Sequence, residues 1–173
     1  MAAQGEAKKT DNKQAYQWLL RSAEMSYPQA QLMLGRAYET GRLGERNIAK
    51  AVNLYQLAAE QGLAEAAVEY ATALYLGRGA LQNLSQAGEW YLRAARAGDV
   101  DSQTVVARMH ETGEGLPQDE RLARSWYQSA AKLGDLPSQA KMFQYETLDK
   151  AAAAPTMTPP AAPSTLAQPS INK

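Results

Sequence analysis

The sequence has no cysteine, a single histidine and a single phenylalanine among its 173 residues. Without cysteine there is no disulfide and no thiolate metal ligand, and one histidine cannot build a Cys-His catalytic pair or a His-rich metal site. Excess charge of either sign is missing too, since 18 basic residues face 18 acidic ones. The broad positive footprint used on nucleic acid or anionic membranes is therefore not expected. No apolar run approaches the roughly 20 residues of a membrane-crossing helix, so no direct membrane insertion by this segment is expected. Residues 1–12 are polar and lack the apolar stretch of a signal peptide. These absences leave no metal ligand, cofactor or catalytic residue to nominate, and the chain is expected not to be an enzyme.

What the sequence does contain is a repeat. The run Ala123, Trp126, Tyr127, Ala130, Ala131, Gly134 recurs 36 residues earlier as Ala87, Trp90, Tyr91, Ala94, Ala95, Gly98. A further 36 residues back stand Ala51, Leu54, Tyr55, Ala58, Ala59 and Gly62. One more step reaches Ala15, Trp18, Leu19, Ser22 and Ala23, with Ser26 in the glycine slot. Copies in one register without insertions identify stacked structural units. Within each copy the small and apolar residues fall at i, i+3, i+4, i+7 and i+8, one face of a helix, here named helix B. The alanine pairs permit close helix approach, the Trp and Tyr positions are expected to pack as core, and the glycines suit a left-handed helix end.

A second helix, A, follows each glycine, marked by Ala30, Leu34, Ala37 and Tyr38, then Ala66, Tyr70, Ala73 and Leu74, then Ser102, Val106, Met109 and His110. Loops opened by Gly41, Gly77 and Gly113 lead to the next helix B. Asp119 is placed to cap one B helix, and Asn83 with Gln86 and Asp11 with Gln14 have the spacing of capping boxes. The Gly-x-Gly pairs at 77–79 and 113–115 lack the preceding strand and the Lys-Ser/Thr continuation of a phosphate loop, and they read as turns. His110 occupies the slot of Tyr38 and Leu74 and is expected at the A–B interface.

Both ends depart from the pattern. Gly5 lies 36 residues before Gly41, so residues 1–11 read as the remnant of an upstream repeat, with the solenoid spanning 12–148. In the last A helix, expected from about Leu136 to Leu148, Phe143 takes the place of Gly35, Ala71 and Ala107. A ring at that position is expected to fill the space a following repeat would use, which makes 136–148 a terminal cap. Residues 149–173 are rich in alanine and proline and are expected to form a disordered tail.

The Trp-Tyr-x-x-Ala-Ala-x-x-Gly run, the loop at 113–119 and the Leu34-Gly35-x-Ala37-Tyr38-x-x-Gly41 helix together resemble the Sel1-like repeat family, a relative of the tetratricopeptide repeats. The resemblance covers roughly residues 10–148. It implies an all-α, right-handed α-solenoid of antiparallel helix pairs, and scaffold work with other proteins as partners. The insertion-free units, the cap and the Ala/Pro tail are similar to scaffolds of alginate export. That implies a bacterial periplasmic, outer-membrane-associated place, with a polysaccharide-modifying enzyme and an export porin as partners. Two alternatives stand beside it: a soluble bacterial adaptor in signalling or virulence, and a hydrolase, against which the missing nucleophile–base pair weighs.

In such solenoids the face of helix A opposite the A–B contact lines the binding groove. With about 100° per residue, that face holds Leu32, Arg36 and Glu39, then Val68, Thr72 and Tyr75, then Thr104, Arg108 and Glu111. The apolar Leu32, Val68 and Tyr75 either form a partner-binding strip with Arg36 and Arg108 or are covered by adjacent helices.

Overall fold

The computed structural model describes residues 14–42, 44 and 46–153. The upstream remnant at 1–11, its Asp11 cap, and the tail beyond residue 153 lie outside the described residues. Among the described residues all regular structure is α-helical. Helix α1 is described over 14–24. It is followed by α2 (Pro28–Thr40), α3 (Ile48–Glu60), α4 (Ala64–Leu76), α5 (Leu84–Arg96), α6 (Val100–Thr112), α7 (Glu120–Lys132) and α8 (Leu136–Ala153). Helices α2 to α7 are each 13 residues long, as an insertion-free repeat requires. The even-numbered helices are the A helices and the odd-numbered ones the B helices. From α2 onward, each helix packs on the ones before and after it in sequence. Helix α8 runs past Leu148 to Ala153, so the stretch at 149–153 is helical rather than tail.

The alanines of the repeat set the spacing of the layers. Ala51, Ala87 and Ala123 are fully buried, as are Ala58, Ala94 and Ala130, so the same two points of α3, α5 and α7 are enclosed by their neighbours. Trp90 and Tyr70 meet edge to face at 5.5 Å inside the central cluster. Trp18, expected in the same core stripe, is instead 67% exposed. Its counterpart Trp90 is covered from the A side by Tyr70, and no A helix precedes α1 among the described residues.

Helix ends are built by one recurring device. After each B helix the amide of C′ bonds C2 and that of C″ bonds C3: Gly98 N–H to Ala95 O at 3.1 Å and Asp99 N–H to Ala94 O at 3.1 Å. Gly62, Gly98 and Gly134 hold φ of 91°, 98° and 96°, and Ser26 makes the same turn at φ 64°. Helices α2, α4 and α6 end in left-handed Gly41, Gly77 and Gly113. The Asp119 carboxylate accepts from the amides of Arg121 and Leu122, and the Asn83 side chain accepts from Gln86 N–H, so both expected B-helix caps form. Asn47, Asp99 and Asp135 cap in the same way. His110 is buried, and its Nδ1 donates to the Pro117 carbonyl at 2.9 Å, tying helix α6 to the loop that follows it.

Phe143 does not fill the end of the array; it is 68% exposed. At the equivalent Gly35, an added Cβ would lie 2.5 Å from Tyr55 Cε1, which shows that this register meets the following B helix. No B helix follows α8 among the described residues, and the ring stands in solvent.

Candidate partner-binding face

Each A helix has two packed sides. One faces the B helices, through residues such as Leu34, Tyr70 and Val106. The other faces the next A helix, and the hydrogen bonds define it. Arg36 reaches Glu69 at 2.6 Å and Glu65 at 2.8 Å on α4. Glu39 pairs with Arg78. Tyr75 donates to Glu114 at 3.0 Å, and the Thr104 hydroxyl meets Ser138 at 3.0 Å. Positions 32, 39 and their equivalents therefore belong largely to the seam between successive A helices.

This corrects the strip expected from the helical wheel. Leu32 is 3% exposed and lies in the central core cluster, so it is not surface. Val68 and Tyr75 are half-buried and pack against that cluster. Thr72 is occupied by the Tyr91 hydroxyl at 2.8 Å. Glu39 accepts from the Tyr55 hydroxyl at 2.7 Å, and Thr104 is half-buried between α6 and α8. Only Arg36 and Arg108 of the nine are exposed. The wheel placed the free arc opposite the A–B contact and took no account of the A–A contact. The second contact rotates the free arc to positions 29, 33, 36 and 40 and their equivalents.

That arc carries Gln29, Met33, Arg36 and Thr40 on α2, all exposed, with Met33 at 60%. On α4 it carries exposed Glu65 and Leu76, the latter at 57%, and half-buried Glu69. On α6 it carries Asp101, Arg108 and Thr112, and on α8 Pro137, Gln144 and Leu148, all exposed. A groove of about 870 Å³ runs along α1 and α2, lined by Trp18, Leu19, Met33, Arg36 and Thr40 among others. A smaller notch of about 170 Å³ lies between α6 and α8.

Glu111 is a structural node that the sequence reading assigned to the strip. Its Oε1 accepts from Lys141 at 2.7 Å and Tyr145 at 3.0 Å, and its Oε2 from Tyr127 at 3.0 Å. Burial alone would raise its pKa, but the hydrogen bonds from Lys141, Tyr145 and Tyr127 outweigh it and hold the carboxyl below the usual carboxylate range. Burial first, and then Glu111, pushes the Tyr145 hydroxyl up to about 12. The first unit repeats the design with Glu39 and Tyr55, whose hydroxyl is raised by burial and then by Glu39. The middle unit has Tyr75 in the acidic slot, and Tyr91 turns to Thr72 instead.

Among the described residues, no group of three or more His, Asp or Glu side chains could hold a metal ion, and no helix is long and apolar enough to cross a membrane. The geometry offers a surface for contact.

Comparison with known proteins agrees. The family model for the Sel1 repeat matches residues 2–27, 28–63, 64–99 and 100–135. The crystal structure of a Sel1 repeat protein from Oxalobacter formigenes is 31% identical, with a TM-score of 0.70 over 75% of this chain and 98% of that one. The protective antigen c5321 of uropathogenic Escherichia coli strains is also 31% identical, with a TM-score of 0.68 over 72% of this chain but only 27% of its own. The cysteine rich protein B of Helicobacter pylori shares the fold at 20% identity and a TM-score of 0.58, over 76% of this chain. No curated protein matches the sequence. Four matched repeats, stacked as an α-solenoid, place this chain in the Sel1-repeat family, with the fold of its protein-interaction scaffolds.

Proposed function

We propose that the chain is a non-enzymatic scaffold that receives a protein partner along the free face of its A helices. The observation that carries this reading is the row of exposed apolar side chains, Met33, Leu76 and Leu148, on the A-helix arc left open by the A–B and A–A packing, with exposed Arg108 in the same row and without an ion pair among the described residues. Apolar anchors beside arginines are the composition that interface hot spots favour. In its finer form, the partners are a polysaccharide-modifying enzyme and an outer-membrane export porin, in a bacterial periplasmic complex that modifies and secretes alginate. The support for that form is the sequence resemblance to alginate-export scaffolds.

A photo-crosslinking residue at position 76 tests this against one at Glu89, which is exposed on a B helix. With the purified enzyme and porin, adducts are expected from 76 and not from 89, and Leu76→Asp should abolish binding without shifting the melting temperature. Equal adducts from both positions would move the interface to the B side, and none with either partner would end the alginate reading.

A further inference from the structure

The repeats supply an internal template for charge on this face. In the first unit Arg36 is neutralised within the chain by Glu65 and Glu69 of the next A helix. Arg108 occupies the same register 72 residues later. The positions equivalent to Glu65 and Glu69 are there Pro137 and Lys141. The carboxylates are gone, and one of them has become a second cation. Arg108 makes no ion pair among the described residues. The acidic side chains that follow it are engaged elsewhere, Glu111 by Lys141, Tyr127 and Tyr145, and Glu114 by Tyr75. Lys141 gives Glu111 one contact at 2.7 Å, and an ammonium has three donors.

Between these groups lies the notch of about 170 Å³, lined by Thr104, Val105, Arg108, Tyr127, Pro137 and Lys141. We propose that this notch is a carboxylate subsite of the partner-binding face, taking an Asp or Glu side chain from an acidic segment of a protein partner between Arg108 and Lys141. The assignment rests on the reading of the A-helix face as the binding surface, and it names the chemistry that one part of that face selects. Val105 and Pro137 offer an apolar wall for side-chain methylenes, while the guanidinium and ammonium meet the carboxylate end. A sugar acid would want an open aromatic face to stack on, and the aromatic in this notch, Tyr127, is 6% exposed. In the first unit the same space is already served by Glu65 and Glu69, so the subsite belongs to the α6–α8 end alone.

The test uses the whole chain, labelled for NMR, with a hexaglutamate peptide as probe and hexaglutamine as control. Hexaglutamate should shift the Arg108 Nε–H signal and amides of α6 and α8, leaving Arg36 unmoved, and hexaglutamine should shift none of them. Arg108→Gln should weaken hexaglutamate about five- to tenfold, as for loss of one charge-assisted contact. Pro137→Glu, which supplies in cis the carboxylate that Glu65 gives Arg36, should weaken it similarly, while Arg36→Gln should leave it unchanged. Equal shifts at Arg36, binding unaffected by Arg108→Gln, or equal binding of hexaglutamine would each overturn the subsite. So would a short oligouronate that shifts Arg108 when hexaglutamate does not. Any of these results leaves crosslinking from position 76 to stand or fall by itself, so the subsite and the face are judged separately.

Discussion

Replacing Ser26 by glycine should stabilise the protein, and the repeat provides its own controls. Four equivalent positions follow the B helices, and three are glycine at φ between 91° and 98°, while Ser26 stands at φ 64°. All four make the same pair of backbone bonds, for Ser26 its own N–H to Ala23 O at 3.0 Å and Tyr27 N–H to Ser22 O at 3.2 Å. The hydrogen-bond pattern is thus held constant while the side chain, and with it φ, differs. An L-residue in the left-handed region is disfavoured by about 1–2 kcal/mol. Glycine gives back part of that through the extra freedom it has when unfolded, about 0.5–1 kcal/mol. The net gain of Ser26→Gly is therefore about 0.5–1 kcal/mol, or roughly 1–4 °C in melting temperature for a chain of this size. Gly98→Ser should lose a similar amount, about 1 kcal/mol. A Cβ at Gly98 meets no atom of the described residues within 4 Å, so backbone strain is the effect expected. Thermal melts paired with hydrogen exchange of the α1 amides would read both changes, and Ser26→Ala, which keeps the Cβ, should be neutral. If Ser26→Gly lowers the melting temperature while Ser26→Ala does not, backbone strain is not what governs this turn.

Three other changes test the packing and the charge. Trp90→Ala should lose about 3–5 kcal/mol, because it empties the space against Tyr70 in a nearest-neighbour array; a melting temperature within a degree of the parent would contradict the core assignment. Gln103 Oε1 is buried without a partner among the described residues, whereas its equivalent Gln31 accepts from Gln61 at 2.8 Å. Leu133 holds the place of Gln61, so Leu133→Gln should add about 1 kcal/mol, measured as a higher denaturant midpoint at constant m-value. The carboxyl of Glu111 is held below its usual range in the folded protein, so its contribution is complete above the unfolded carboxylate pKa and drains away as pH falls through the lower folded value. Glu111→Gln should accordingly flatten the acid limb of a melting-temperature-against-pH curve, and an unchanged limb would show that the node does not couple to folding.

The fold was legible because its determinants are local and recur. Apolar period, the glycines at 62, 98 and 134, and the Asn83 and Asp119 caps each specify a helix or its end without reference to distant residues. The free face was less legible because a single-helix wheel sees one partner. Leu32 reads as surface opposite the A–B contact, yet the neighbouring A helix buries it. The pairs that reveal this seam, Arg36 with Glu69 and Glu111 with Tyr145, lie 33 and 34 residues apart, close to one full repeat. A search for carboxylates facing an arginine or a tyrosine just short of the repeat length is the signal that would have found them. Phe143 failed for a different reason: its size says what it excludes, and its environment depends on a neighbour that the sequence pattern does not specify.

The same arithmetic explains where a scaffold of near-identical units can carry specificity. Ala51, Ala87 and Ala123 cannot grow without about 1–3 kcal/mol of overpacking, so the buried positions keep the units alike. Exposed positions such as 65, 101 and 137 change for about half a kcal/mol or less, and there the units diverge as Glu, Asp and Pro. Divergence next to divergence makes the end of one helix row electrically unlike the other. At α2–α4 the arginine is already neutralised by Glu65 and Glu69, and at α6–α8 Arg108, without an ion pair among the described residues, lines a notch together with Lys141. A partner lying along the A helices therefore meets an apolar row with one end closed to carboxylates and the other open. Apolar contact would let it bind in either direction, and the charge difference selects one of the two.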